Sequence, residues 1–189
     1  MLNHEKTAIT RGSSKSAKLL SRTIAKHEDV LDFGAGKLRN SMLLKQRGFE
    51  NVYALDTAKQ VAGCKDTGGI PFSTYENYKD NRFEAILCSF VLNVCSPEEQ
   101  AMVVDQIKSL SMDGTRIIFE VRTVRDVKGA KTAQSDGQGG FVMRGGTYQY
   151  PFTVRSLRDL LEDDFCIEQV REYSGSIVIT CTVEGESNA

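Results

Sequence analysis

The chain has 189 residues, 40% of them hydrophobic and 26% charged, with a formal net charge of −1. That balance suits one folded domain with a sizeable core and excludes a disordered chain. It gives no overall pull towards nucleic acid or an acidic membrane, and no apolar run approaches the roughly 18 residues needed to cross a bilayer.

Residues 1–12 are expected to be loosely structured. Lys6, Arg11, Lys15, Lys18, Arg22 and Lys26 outweigh Glu5, Glu28 and Asp29, so this end is locally basic, which reads as a solvated helix face. It has no signal-peptide core, and a cytoplasmic location is expected. Ala17, Leu20 and Ile24 fall at helical spacing within a helix predicted over 13–27. Val30-Leu31-Asp32-Phe33 reads as a strand ending in Gly34-Ala35-Gly36, and a helix from Asn40 to Arg47 closes at Gly48. Val52–Leu55 is a second strand ending at Asp56, and Ile70-Pro71-Phe72 suits a short edge strand. Phe83–Phe90 is a further strand. Ser96-Pro97-Glu98-Glu99 then combines an N-cap, a proline at the first helical position and a capping box. Met102, Val103, Ile107 and Leu110 are expected to form the buried face of that helix. Asp113-Gly114 turns the chain into a strand over Arg116–Val121.

Residues 123–147 break the rhythm with six glycines and few large apolar residues, as expected of an inserted binding loop or lid. Thr153 caps a helix bearing Val154, Leu157, Leu160 and Leu161. Strands near 165–171 and 176–183 follow, and their short connection implies antiparallel pairing. The whole chain reads as a single domain of α/β class. A Rossmann-like, mostly parallel seven-stranded sheet is expected, with helices on both faces and the last strand antiparallel.

Five cysteines without a CxxC pair read as buried, reduced thiols, and two histidines make a metal site improbable. The informative constellation is the strand ending in Gly34-Ala35-Gly36 together with Asp56, twenty residues beyond Gly36. Glycines there let the backbone turn tightly and approach a ligand, and an acid ending the next strand can accept from both hydroxyls of a ribose. A phosphate-cradling P-loop is excluded, because Leu31 and Leu38 stand where it needs glycine and Ser/Thr. A dinucleotide fingerprint is disfavoured, because Arg39 holds its third glycine position.

The run D-F-G-A-G with L-D downstream resembles the class I methyltransferases that depend on S-adenosylmethionine (SAM), over about residues 28–122. The topology extends the likeness to the C-terminus. The resemblance implies SAM as cofactor. It places Phe33, Gly34, Ala35 and Gly36 beneath the methionine part, Asp32 near its amino group, Asp56 on the ribose hydroxyls and Thr57 beside the adenosine. Ser89, Phe90 and Asn93 would line the pocket near the reactive methyl. Leu38 replaces a glycine of the usual motif, which puts the turn after Gly36 in doubt. A narrower set of segments resembles the methyltransferases associated with DNA phosphorothioation. These are Thr7-Ala8-Ile9 with Arg11, the glycine loop, Val91-Leu92-Asn93-Val94 and Thr147-Tyr148-Gln149.

Methyl transfer needs alignment above all, with a base where the acceptor carries a proton. Glu120 is the candidate base, with Asp126 second. Tyr148 and Tyr150 are candidates to meet a substrate, and Arg11 to meet the cofactor carboxylate. The methyl acceptor is unidentified. The chain lacks the Asn/Asp-Pro-Pro-aromatic motif of DNA amine methylation and the Pro-Cys of cytosine C5 methylation, which argues against a DNA methylase; a small molecule, nucleic acid or protein stays open as acceptor. The oligomeric state is not legible. Two alternatives stay open: a SAM-binding sensor or partner subunit without catalysis, and an NAD-type nucleotide-binding domain.

Overall fold

The computed structural model describes residues 12–128, 134–137, 139–143 and 146–184. In chain order its elements are helix α1 (Lys15–Thr23), strand β1 (Asp29–Phe33), α2 (Arg39–Gln46), β2 (Asn51–Leu55), α3 (Ala58–Gly63), β3 (Phe72–Ser73), α4 (Tyr75–Tyr78) and β4 (Phe83–Ser89). A 3-10 turn at Leu92–Val94 leads to α5 (Pro97–Ser109), β5 (Ser111–Arg122) and α6 (Val124–Lys128). Three short strands follow, β6 (Gln134–Ser135), β7 (Phe141–Val142) and β8 (Tyr148–Gln149), and then α7 (Val154–Leu161), β9 (Cys166–Glu172) and β10 (Ser176–Thr182).

The main sheet has seven strands in the order β3-β2-β1-β4-β5-β10-β9. Strands β3, β2, β1, β4 and β5 run parallel, and β10 inserts antiparallel between β5 and β9. This is the expected seven-stranded, mostly parallel arrangement. Pro71 precedes β3 at the sheet edge, where a missing N–H costs no ladder bond.

Side-chain alternation along the strands divides the core into two layers. On one face Leu31, Ile86, Ile117, Phe119 and Ile179 pack under α5 and α7, through Val104, Ile107, Leu157 and Leu161. On the other face Val30, Val52, Leu87 and Ile118 pack under α1 and α2, through Ala17, Leu20 and Leu44. Strands covered on both faces must be apolar on both, which is why their sequences read as unbroken hydrophobic runs.

The capping box at Ser96 and Glu99 forms as expected, and Thr153 caps α7 through Ser156. Of the face expected for α5, Ile107 and Leu110 are buried and Val103 packs on the core, but Met102 is 59% exposed, and Gln100 and Val104 are buried in addition. The Asp113-Gly114 turn is absorbed as an irregularity within β5, opposite Phe83–Ala85 of β4. Cys88, Cys95 and Cys181 are buried as expected; Cys166 is exposed and Cys64 half-buried, because both lie at element ends rather than inside apolar strands. The short helices α3 and α4 carry no apolar period that the sequence could reveal. The stretch 123–147 contains α6, β6 and β7, and the latter two form an antiparallel sheet with β8 just beyond it.

Candidate functional site

The turn after β1 is built from residues in the left-handed region: Gly34 at φ 68°, Gly36 at 57° and Leu38 at 58°. Gly34 and Ala35 both donate their amides to the Leu55 carbonyl, at 2.8 and 2.9 Å, which ties the turn to the end of β2. A Cβ on Gly34 would collide with Cγ2 of Val91, so glycine is required twice over, by conformation and by close approach. Leu38 takes the left-handed position without being glycine, a strain of roughly 1–2 kcal/mol. Its side chain is buried against the α1–α2 layer, and that burial offsets the strain.

Asp56 completes the turn. Its Oδ2 accepts from the Gly36 amide at 2.7 Å and its Oδ1 from the Thr57 amide at 2.7 Å. The N-cap of α3 is Thr57, whose hydroxyl accepts from Gln60, and Asp56 lines the cavity above the turn.

Asp32 behaves differently. Its Oδ2 accepts from the Ser41 amide at 3.0 Å and the Ser41 hydroxyl at 2.5 Å, so the carboxyl faces the first turn of α2. Burial pushes its pKa up to about 6, against the lowering effect of the Ser41 bonds and Arg39.

The end of β4 forms the opposite wall. Phe90 sits at φ 62°, and its amide donates to the Glu120 carbonyl at 2.7 Å. Such a conformation in a bulky residue is strained, and strain of this kind gathers where a site must be shaped. Two guanidinium groups stand over the Phe90 ring, Arg39 at 5.7 Å and Arg122 at 5.4 Å from its centroid. The next turn carries Asn93, which is 1% exposed. Its Nδ2 donates to Gln149 Oε1 at 3.0 Å, and its carbonyl accepts from the Tyr150 amide at 2.7 Å. The neighbouring Cys95 thiol is pushed up to about 12, chiefly by burial, so it stays protonated and is a poor nucleophile.

These walls enclose a cavity of about 550 Å³, the size of a small-molecule site. Phe33, Gly34, Ala35, Gly36, Asp56, Thr57, Ser89, Phe90 and Asn93 all line it. Asp32, Glu120, Tyr148 and Tyr150 are not among its lining residues. Glu120 is buried instead beneath the start of α1, where its Oε2 accepts from both the amide and the hydroxyl of Ser16, each at 2.8 Å. Ser89 reaches the same cluster, 3.0 Å from the Ser16 hydroxyl. Asp126 pairs with Arg122 at the outer end of β5. Tyr148 donates its hydroxyl to Asp136 within the small sheet, and Tyr150 packs edge-on against Phe152. Arg11 lies outside the described residues. Sequence reasoning missed Arg39, Asn40, Tyr75, Arg122 and Gln149, which also line the cavity. Tyr75 lies one residue beyond the end of β3, separated from it by Thr74, so the end of the edge strand was the available signal for it.

The family model described as a methyltransferase domain matches residues 8–164. No curated protein matches the sequence. Among solved structures, a protein of Pyrococcus horikoshii OT3 aligns with a TM-score of 0.73 at 16% identity, covering 88% of this chain and 87% of that one. The 1,6-didemethyltoxoflavin-N1-methyltransferase of Burkholderia thailandensis aligns at 0.68 and 17% identity, covering 90% and 77%. A SAM-dependent methyltransferase of Methanosarcina mazei aligns at 0.67 and 18% identity, covering 88% and 98%. At these identities the likeness speaks for the fold, and the family match speaks for the activity, which removes the NAD-type alternative. The glycine turn, the acid ending β2 and the inserted antiparallel β10 therefore belong to an enzyme of the methyltransferase-domain family, built on the class I fold of SAM-dependent methyltransferases.

Proposed function

We propose that this protein transfers a methyl group from SAM, held in the cavity above the glycine turn, to an acceptor that enters beside Asn93 and Gln149. The observation that carries this reading is the pairing of Asp56 with the Gly36 amide on the wall of that cavity, in a chain of this family. Bound SAM supplies a methyl on a cationic sulfur: the acceptor's electron pair forms the new bond to carbon, and the S–C pair returns to sulfur, leaving S-adenosylhomocysteine.

The residues present fit that group. A carboxylate suits the two hydroxyls of a ribose, and Asp56 lines the cavity with its carboxylate oriented by the Gly36 and Thr57 amides. Gly34 and Gly36 offer backbone without side chains for the methionine part, between Phe33 and Ala35, and Thr57 flanks the adenosine end. Ser89, Phe90 and Asn93 stand towards the acceptor. Asp32 holds α2 rather than the cofactor amine, and Glu120 holds α1 rather than a substrate proton. In this single-domain protein the small sheet of β6, β7 and β8 stands on the acceptor side, Gln149 reaching the cavity and Tyr148 and Tyr150 bracing it. This also supports a place near the methyltransferases associated with DNA phosphorothioation, since Asn93 and Gln149 belong to two of the matching segments. The buried reduced thiols Cys88, Cys95 and Cys181 suit a reducing compartment such as the cytoplasm. Among the described residues no helix is long and apolar enough to cross a membrane.

The test is label transfer. SAM carrying a radiolabelled methyl is offered, with the protein, to a cell extract fractionated into metabolites, nucleic acid and protein. Label accumulating in one fraction supports the proposal and names the acceptor class. SAM binding by calorimetry without label in any fraction would favour a non-catalytic sensor or partner subunit.

A further inference from the structure

Asn93 Oδ1 is the one buried side-chain polar atom without a hydrogen-bond partner among the described residues. A buried carbonyl left unpaired costs roughly 1–3 kcal/mol, so such an atom in a cavity wall marks where a ligand donor belongs. Its position is specific. The Phe90–Asn93 segment packs on the glycine turn through Val91 and Gly34. Nδ2 of the same carboxamide donates to Gln149 Oε1. Asn93 therefore has an unpartnered acceptor, while one of its two amide hydrogens is taken by Gln149.

The groups around it limit what can be methylated there. A base would be needed to deprotonate an alcohol or thiol acceptor, and the cavity's carboxylates are engaged elsewhere. Asp56 holds the Gly36 and Thr57 amides, Glu76 holds Lys79, and Glu99 holds the Ser96 amide. Glu120 is taken by Ser16. His27, the one histidine among the described residues, precedes β1, at the end of the strand opposite the glycine turn. A carboxamide orients a proton but does not remove it.

We propose, resting on the SAM-binding reading above, that Asn93 Oδ1 accepts a hydrogen bond from the N–H of a nitrogen acceptor, so that the protein is an N-methyltransferase. Such a nitrogen brings its own lone pair. It forms the N–C bond with that pair, the S–C bond breaks onto sulfur, and the product nitrogen afterwards sheds one proton to water. The hydrogen bond to Asn93 fixes the N–H direction and with it the direction of the lone pair, which is alignment rather than base catalysis. Gln149 holds the carboxamide in that orientation and is a positioning residue.

Sinefungin, which carries an amine where SAM carries its sulfonium methyl, probes this atom without knowledge of the substrate. Its dissociation constant is compared by calorimetry with that of S-adenosylhomocysteine. The wild type should prefer sinefungin by about tenfold, as expected of one hydrogen bond from a charged donor. Asn93→Leu should erase that preference while changing S-adenosylhomocysteine affinity by less than about twofold. Asn93→Asp should keep or increase it. No preference in the wild type, or a preference unchanged in Asn93→Leu, overturns the proposal. An equal loss of S-adenosylhomocysteine affinity in Asn93→Leu also overturns it, by putting the carboxamide on the cofactor itself. If neither compound binds the wild type, the SAM reading has failed instead. A second readout uses deuterated-methyl SAM with a metabolite extract: any labelled product should carry N–CD3, and label on oxygen, sulfur or carbon refutes the class.

Discussion

The amide of Gly36 donates to the carboxylate of Asp56 at 2.7 Å, joining the turn after β1 to the end of the neighbouring strand β2. The bond orients the carboxylate before any ligand arrives, and preorganisation of this kind lowers the cost of binding.

Asp56→Ala should weaken SAM binding by about 100-fold, the loss expected for one or two hydrogen bonds to a charged acceptor. Asp56→Asn should lose less, since it still accepts from Gly36. Calorimetry measures both. Wild-type affinity in the alanine variant would mean that the ribose is held elsewhere.

Gly34→Ala combines a left-handed φ with a collision against Val91. A destabilisation of roughly 2–4 kcal/mol is expected, from about 1–2 for the backbone and the remainder from overpacking. Adding Val91→Ala removes the obstructing methyl and should restore the overpacking part only. Denaturant unfolding of the two single variants and the double variant tests whether the two contributions separate.

Glu120 separates a structural from a catalytic carboxylate. Glu120→Ala leaves the amide and hydroxyl of Ser16 without their acceptor, and should cost about 3 kcal/mol of stability. Glu120→Gln keeps an acceptor oxygen and should cost much less. Double-variant cycles with Ser16→Ala should show coupling. A Glu120→Ala protein as stable as wild type would return Glu120 to the list of candidate bases.

Asp32 makes stability depend on pH in an unusual direction. Its folded pKa of about 6 lies above the ordinary 3.8, so the folded state binds the proton more tightly than the unfolded chain does. Stability from this group is therefore fully present below pH ~4 and falls as the pH rises through 6, by about 3 kcal/mol in all. In Asp32→Asn that decline should vanish, while Ser41 keeps an acceptor. Unfolding free energies at pH 4, 5, 6 and 7 read it directly; a wild-type curve with the same slope as the variant would contradict the burial argument.

Much of this fold can be read along the chain, because its strongest signals are local. The Ser96 capping box and the glycine turn each depend on residues within a few positions, and the antiparallel final pair on one short connection. What escaped was non-local. Nothing near Glu120 announces Ser16, 104 residues earlier in the chain, so a buried tether resembled an available base. Nothing near Asp32 distinguishes a carboxylate aimed at a ligand from one aimed at Ser41. Asn93 and Gln149 lie 56 residues apart and meet only because the small sheet of β6 to β8 folds back onto the turn after β4. Leu38 looked like a defect in the glycine pattern, and only burial explains how leucine keeps that backbone.

Strand β10 lies between β5 and β9, so it closes a gap in the middle of the sheet rather than adding to its edge. Until residues 176–182 have been synthesised, β5 presents an open ladder bearing Ile117, Phe119 and Val121, with no covalent neighbour to cover it. A nascent chain in that state is a template for pairing with other chains, as uncovered strand edges are. Strand β10 thus acts as a bolt for the sheet: the cavity walls at the ends of β1, β2 and β4 can form before it, but they acquire a rigid backing only when the β9–β10 hairpin is inserted.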